Sequence, residues 1–241
     1  MKISIITVVK NDEKNVLKTL ASVKNQNYQN YEHIVIDGKS TDKTFYYIKN
    51  FKNKKIRSIS KRDKNLYQAL NTGIKMSKGK YIGILHSGDK FFSKSTLNQI
   101  SKNIKNYDFL FGNVVFKNKN KFGRRWKYKF DKVNKKNAFK IAHTSLFLRK
   151  KILIRLKLYD ENYRISSDAD LILRLCNLKD LRFNYLNKFV IIMSQNGLST
   201  SLGSTLLKIR EDIVIYYKHF RYTFLFNYLY KIIYKLFKLY I

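Results

Sequence analysis

Acids are scarce in this chain, and several of them fall where short apolar runs end. The run 3–9 carries Thr7 near its end, and the run 33–37 ends on Asp37. The run 56–60 is followed by Lys61-Arg62-Asp63, and the run 81–85 leads through His86-Ser87-Gly88 to Asp89. On one edge of a parallel sheet these groups converge. A carboxylate there can accept hydrogen bonds from a base or a ribose, and another can hold a divalent cation. Any one of the acids alone reads more simply as a helix cap or a solvated turn. Taken together, with the last of them behind a buried strand, they point to a site.

The elements that must position them follow from periodicity. Ile3–Val9 is almost wholly apolar and β-branched, as expected of a strand buried on both faces. Asn11 or Asp12 can cap a helix whose apolar positions are Val16, Leu17, Leu20 and Val23. The run 33–37 is a second strand; Gly38 turns the chain, and Ser40 or Thr41 starts a helix through Ile48 and Phe51. Ile56–Ser60 is a weaker strand, Leu66–Met76 a helix, 81–85 a fourth strand, and a helix from about Ser95 precedes the apolar run 109–116. Such alternation argues for a parallel sheet covered by helices. Right-handed crossovers then gather the carboxyl ends of the strands on one edge, where open α/β sheets bind ligands.

The second half reads differently. Residues 117–140 form a basic, aromatic excursion in which Trp126, beside Arg124 and Arg125, could stack on a sugar but is better read as a loop anchor. A strand is expected at 144–148, a helix at 168–178, another strand at 189–193, and helix from 206 to 241. No Gly/Ser/Pro linker marks a sharp boundary before about residue 204. The expected division is 1–203 as one unit, with 1–115 and 116–203 as its halves, and 204–241 as a basic aromatic helical tail.

Composition sets bounds. The 241 residues suffice for one large α/β domain or a domain with an appendage, and 44% hydrophobic content supports a real core. The single cysteine, Cys176, allows no internal disulfide, which fits a reducing compartment. Met1 leads straight into an apolar run with no small-residue cleavage site, so no secretory leader is expected. Fifty Lys and Arg against 16 Asp and Glu give +34. An anionic partner is one explanation. Compositional drift is the better one for most of the charge, because the lysines are spread along the whole chain. Several chemistries lack their motif: no Gly-x-Gly-x-x-Gly follows the first strand, and there is no phosphate loop, zinc spacing or Gly-x-Ser-x-Gly elbow.

The blocks Ser4-Ile5-Ile6-Thr7, Val35-Ile36-Asp37-Gly38-Lys39-Ser40-Thr41-Asp42, Arg62-Asp63 through Ile74, and Gly79 through Asp89 resemble, in order and spacing over 1–115, those of family-2 glycosyltransferases with the GT-A fold. Ser167-Asp168-Ala169-Asp170-Leu171 is similar to that family's acceptor-side acidic motif, and His143 falls where related bacterial surface-polysaccharide enzymes often carry a histidine. After about residue 200 the resemblance ends. It implies a GT-A-type, mostly parallel central sheet flanked by helices, with a Rossmann-like half binding a nucleotide sugar.

The resemblance also implies roles. Thr7, Asp37 and Asp63 contact the nucleoside of the donor, most simply a UDP-sugar, with Ser87 beside them. Asp89 ligates a divalent cation, Mn²⁺ or Mg²⁺, that bridges the diphosphate. The chain departs from the family's Asp-x-Asp, since Ser87 stands in the first acid's place and adds no charge; metal dependence is correspondingly weakened. Loss of a diphosphate leaving group needs stabilised negative charge. The acceptor hydroxyl needs a base, an effect typically worth about 10²–10⁴-fold. Asp168 is the candidate base, and attack opposite the leaving group inverts the anomeric centre. An acid favoured at a helix N-terminus is the plainer reading of Asp168. Asp170 cannot face the same way and is expected to pair with Arg174, four residues on. His143 orients the acceptor, joins the metal shell, or is a satisfied polar histidine.

In the tail, Lys231, Lys235 and Lys238 share one helical face, with Leu229, Ile232, Ile233, Leu236, Phe237 and Tyr240 on the remainder. The longest uncharged stretch is far short of the roughly 20 apolar residues of a spanning helix. A basic amphipathic helix lying on an anionic membrane through 205–241 is the expectation. It implies a cytoplasmic enzyme, peripheral at the inner face of the membrane, acting on a glycan or lipid-linked acceptor in surface-polysaccharide assembly. Packing on its own domain or in a homodimer is the alternative for the helix. For the chain as a whole, the alternatives are a polycationic nucleic-acid-binding protein and an inactive relative of the family. The diffuse placement of bases and aromatics argues against specific nucleic-acid binding.

Overall fold

The computed structural model describes residues 1–118, 121–128, 133–194 and 202–237. One mixed sheet runs through the described residues in the order β3 (Ile56–Ser60), β2 (Tyr31–Asp37), β1 (Ile3–Val9), β4 (Tyr81–Ile84), β8 (Phe147–Arg149), β6 (Phe109–Asn118), β9 (Phe183–Ser194) and β5 (Lys90–Phe91), with β7 (Lys121–Trp126) added on β6. β1 (Ile3–Val9), β2 (Tyr31–Asp37), β3 (Ile56–Ser60) and β4 (Tyr81–Ile84) pair in parallel. Their carboxyl ends therefore share one edge. The alternation of side chains sorts the core: Ile34 and Ile36 face one layer, Val35 the other. Helix α1 (Glu13–Lys24) and α2 (Thr44–Asn50) cover the Val35 face with Val16, Leu20 and Ile48. Helix α3 (Leu66–Met76) covers the Ile36 face with Tyr67, Leu70 and Ile74. Each such fully buried aliphatic side chain contributes roughly 1.5–3 kcal/mol.

Two close contacts fix these layers. A Cβ at Gly73 would lie 2.5 Å from Ile6 Cγ2, so α3 rests directly on β1. A Cβ at Gly83 would lie 2.4 Å from the ring of Phe147, its antiparallel partner, so the glycine lets β8 (Phe147–Arg149) pair beside β4. Asn65 caps α3 by accepting from Gln68 N at 3.0 Å, an interaction worth about 1 kcal/mol.

Several boundaries differ from the periodicity reading. Helix α2 begins at Thr44 rather than just after Ser40, because Ser40 is turned back onto Asp37 and Asp42 takes the Thr44 N–H at 3.0 Å. The strand expected at 144–148 is a 3₁₀ turn, His143–Ser145, followed by β8. The excursion holds β7 (Lys121–Trp126), a hairpin partner of β6 (Phe109–Asn118). Trp126 is buried there, donating from Nε1 to Lys140 O at 2.7 Å. The short β5 (Lys90–Phe91) gave no periodic signal, and β9 (Phe183–Ser194) begins before residue 189. Helices α4 (Thr96–Asn103), α5 (Lys150–Arg155) and α6 (Ser167–Asn177) complete the layers.

The tail forms α7 (Leu202–Phe220) and α8 (Phe224–Phe237). It packs back onto the rest of the chain. The lysine face of α8 turns inward: Lys231 is buried and pairs with Asp212 at 2.7 Å, and burial pushes Lys235 down to about 7. The outward face is apolar, with Leu225, Phe226, Leu229, Ile233, Leu236 and Phe237 exposed. A tail presenting its lysines to a surface is thus corrected, since Lys231 is held by Asp212. Lys238 and Tyr240 lie outside the described residues. Among the described residues no helix is long and apolar enough to cross a membrane.

Candidate active site

The edge formed by the first four strands carries the expected acids in unlike settings. Asp37, at the end of β2, is fully buried. Its carboxylate accepts from Ser40 N at 3.1 Å, from Ser40 Oγ at 2.5 Å and from Ser60 Oγ at 2.5 Å. It thereby ties the 38–40 turn to the end of β3. Asp63 lies just beyond β3 with its side chain 4% exposed. It sits 3.0 Å from Lys61 Nζ, yet neither of its oxygens accepts a hydrogen bond among the described residues. Two buried acceptors held this way are groups that a ligand's N–H or O–H donors would satisfy.

Thr7 does not reach the edge. It lies two residues inside β1, is fully buried, donates to Leu85 O at 2.7 Å and meets His33 Nε2 at 2.9 Å. Burial keeps His33 neutral, with its pKa lowered to about 3. Ser87 donates to Asp12 Oδ2 at 2.7 Å, which pins the β4 turn to the β1 turn. Gly88 has φ +91°, a conformation that L side chains rarely adopt, and it delivers the chain to Asp89.

Asp89 is 4% exposed and accepts from Ser194 N at 2.9 Å. Burial raises its pKa to about 7. Among the described residues no cation pairs with it directly and no cluster of three acids, histidines or cysteines gathers around it. A buried carboxylate whose second oxygen makes no hydrogen bond among the described residues could serve as one ligand of a divalent cation.

The second half of the chain meets this edge through a hydrogen-bonded relay of side chains. Asp168, in the first turn of α6, holds His143 Nδ1 at 2.9 Å. His143 Nε2 lies 3.2 Å from Nε2 of His86, at the end of β4. Both Asp168 and His143 keep 28% of their side-chain surface exposed. Burial works against each charge, but the pair outweighs it. His143 is raised above 6.5 by the charge and hydrogen bond of Asp168, and Asp168 is held well below the usual carboxylate range by His143. His86 is pushed the other way, to about 3, by burial and by the neighbouring His143. Tyr67 of α3 donates to Ile165 O at 2.5 Å and reaches Asp168 Oδ1 at 3.2 Å.

Asp170 faces away, as its spacing from Asp168 required. Its fully buried carboxylate binds Arg174 at 2.7 Å, His219 at 2.9 Å and Lys218 at 3.2 Å, locking α6 to α7. Sequence reasoning missed His86, Tyr67 and Asp12. His86 lies three residues before Asp89, and nothing in the local pattern gives it a partner. Tyr67 sat on an apolar helix face and read as core.

Comparisons with known proteins bear on the family and the fold. A glycosyltransferase of PGL/p-HBAD biosynthesis from Mycobacterium bovis is 27% identical over 192 residues, covering 76% of this chain and 73% of that protein. The Escherichia coli UDP-Glc:alpha-D-GlcNAc-diphosphoundecaprenol beta-1,3-glucosyltransferase WfgD is 32% identical over 120 residues, covering 49% and 47%. Among solved structures, S. aureus TarS 1–349 in complex with UDP-GlcNAc superposes with a TM-score of 0.73 at 18% identity, covering 91% of this chain and 68% of that one. The fold is thus the GT-A type, and the chain is a glycosyltransferase. Residues 4–167 match the sequence profile of glycosyl transferase family 2, and the chain belongs to that family.

Proposed function

We propose that the chain is an inverting glycosyltransferase that moves a sugar from a nucleotide sugar, a UDP-sugar, to a glycan or lipid-linked acceptor in bacterial surface-polysaccharide assembly. The observation that carries this reading is the Asp168–His143–His86 chain, which meets the strand edge where Asp63 accepts no hydrogen bond among the described residues and Asp89 accepts one, from Ser194 N.

Asp63 receives donors of the nucleoside, Asp37 shapes the turn beside it, and Thr7 supports the edge from behind through Leu85. Ser87 holds the two phosphate-side turns together through Asp12. Asp89 would hold a divalent cation, which supplies positive charge to the departing diphosphate. Asp168 removes the acceptor proton while His143 orients the acceptor hydroxyl and shares the proton through Nδ1. Attack on the face opposite the diphosphate inverts the anomeric centre. The exposed apolar face of α8 favours a peripheral site on the inner face of the cytoplasmic membrane, where a lipid-linked acceptor would be met.

A thermal-shift screen of nucleotide sugars with and without Mn²⁺ tests the reading, because a ligand of the native state raises its melting temperature by mass action. A specific rise with a UDP-sugar is expected; no rise with any nucleotide sugar would overturn it.

A further inference from the structure

Helix α6 begins without a cap of its own. Ser166 precedes it, but the Ser166 hydroxyl makes no capping bond and has no hydrogen-bond partner. In a capping box, an acid three residues into the helix reaches back to the N–H of the cap residue; here that position is Ala169. Glu211, 45 residues further on in α7, supplies the missing carboxylate. Its Oε1 accepts from Arg164 N at 2.7 Å, and its Oε2 accepts from Ile165 N at 3.0 Å and Ser166 N at 2.9 Å. Glu211 is 8% exposed. Three consecutive amides converging on one buried carboxylate form an anion nest, and bonds to a charged acceptor are roughly twice as strong as neutral ones.

These amides lie two to four residues before Asp168. The segment is held on its other side by the Tyr67 hydroxyl on Ile165 O. A side chain at the second helical position moves with the backbone that precedes it, so whatever fixes residues 164–166 also fixes the Asp168–His143 contact. We infer that Glu211 is a positioning residue for the base, holding the 164–166 segment so that Asp168 stays on His143. The tail helix α7 is then a working part of the acceptor site. This rests on the reading of Asp168 as base.

The test separates the two ideas by using a readout that needs no substrate. The imidazole of His143 is titrated by NMR in the full chain, its signal assigned by loss in His143→Gln among the chain's four histidines. The groups acting on that ring are Asp168, His86, Asp89 and Lys208. In wild type the midpoint is expected above 6.5, because Asp168 favours the protonated ring. Glu211→Gln, which cannot accept from all three amides without opposing one of them with its own NH₂, is expected to move it down toward 6.5. Glu211→Asp, which keeps the charge, is expected to fall between, and serves if Glu211→Gln does not fold. Ile48→Ala, a buried change in α2, controls for general destabilisation and is expected to leave the midpoint unmoved. With the donor found by the screen, kcat falls about tenfold or more while KM for the donor stays within about twofold. A midpoint unchanged in both Glu211 variants overturns the positioning role. A moved midpoint together with full turnover in Asp168→Asn would instead overturn Asp168 as the base.

Discussion

The Nε2 atoms of His86 and His143 lie 3.2 Å apart, and through them the end of β4 touches the second half of the chain. With Asp168 on the far nitrogen of His143, one imidazole is shared between a buried neutral partner and an anionic one. The two rings therefore differ in proton affinity, which is lowered at His86 and raised at His143.

That gradient sets a pH dependence. Asp168 raises the His143 pKa above 6.5, so the ring keeps its proton to higher pH than a free imidazole. The ion pair stabilises the fold below 6.5, and its contribution is lost as pH rises through the raised value. For catalysis the pair must first lose that proton before it can accept one from a hydroxyl. The pH–rate profile is expected to rise through a midpoint above 6.5, and His143→Asn is expected to remove that limb. An unchanged limb in the variant would assign it to another group.

Asp63 offers a direct test of the nucleoside side. Asp63→Asn removes an anionic acceptor that makes no internal hydrogen bond. Loss of hydrogen bonds to a charged group costs about 1.5–3 kcal/mol. Calorimetric titration should show the Kd for UDP rising about tenfold or more. An unaltered Kd would remove Asp63 from the nucleoside contact.

Asp170 is expected to govern stability rather than chemistry. Burial alone would raise its pKa, but His219, Arg174 and Lys218 bring it down from 3.8 to about 2. Its contribution is therefore present above pH 3.8 and fades as pH falls toward 2, amounting to about 2 kcal/mol. Asp170→Asn should lower the midpoint of urea unfolding at neutral pH and flatten the acid limb of stability between those values.

Gly83→Ala probes the packing that brings β8 to β4. The added methyl would meet the buried Phe147 ring at 2.4 Å. Overpacking of this kind costs about 1–3 kcal/mol. Denaturant unfolding should shift to a lower midpoint with an unchanged slope.

The donor half was legible because local rules decide it. Apolar runs with β-branched residues, each followed by a turn and an amphipathic helix, place Asp37, Asp63 and Asp89 without tertiary information. Thr7 was harder: its position along β1 was visible, but that its hydroxyl would serve Leu85 depends on the neighbouring strand. The acceptor half depends on long-range contacts. His86 and His143 are 57 residues apart, and Glu211 reaches its amides across 45 residues or more, separations that no periodicity reports. The tail misled for a related reason. Its lysines looked solvent-facing by pattern, but Asp212 on the preceding helix turns Lys231 inward and leaves the apolar side exposed.

Asp168, held on His143, is the proposed base of the sugar transfer. The most direct measurement is the single-turnover rate of Asp168→Asn against wild type, with the nucleotide sugar that the thermal-shift screen identifies and saturating acceptor. The expected result is a fall of about 10²-fold or more with donor affinity within about twofold of wild type. Turnover at the wild-type rate, with the variant folded and donor bound, would contradict the account.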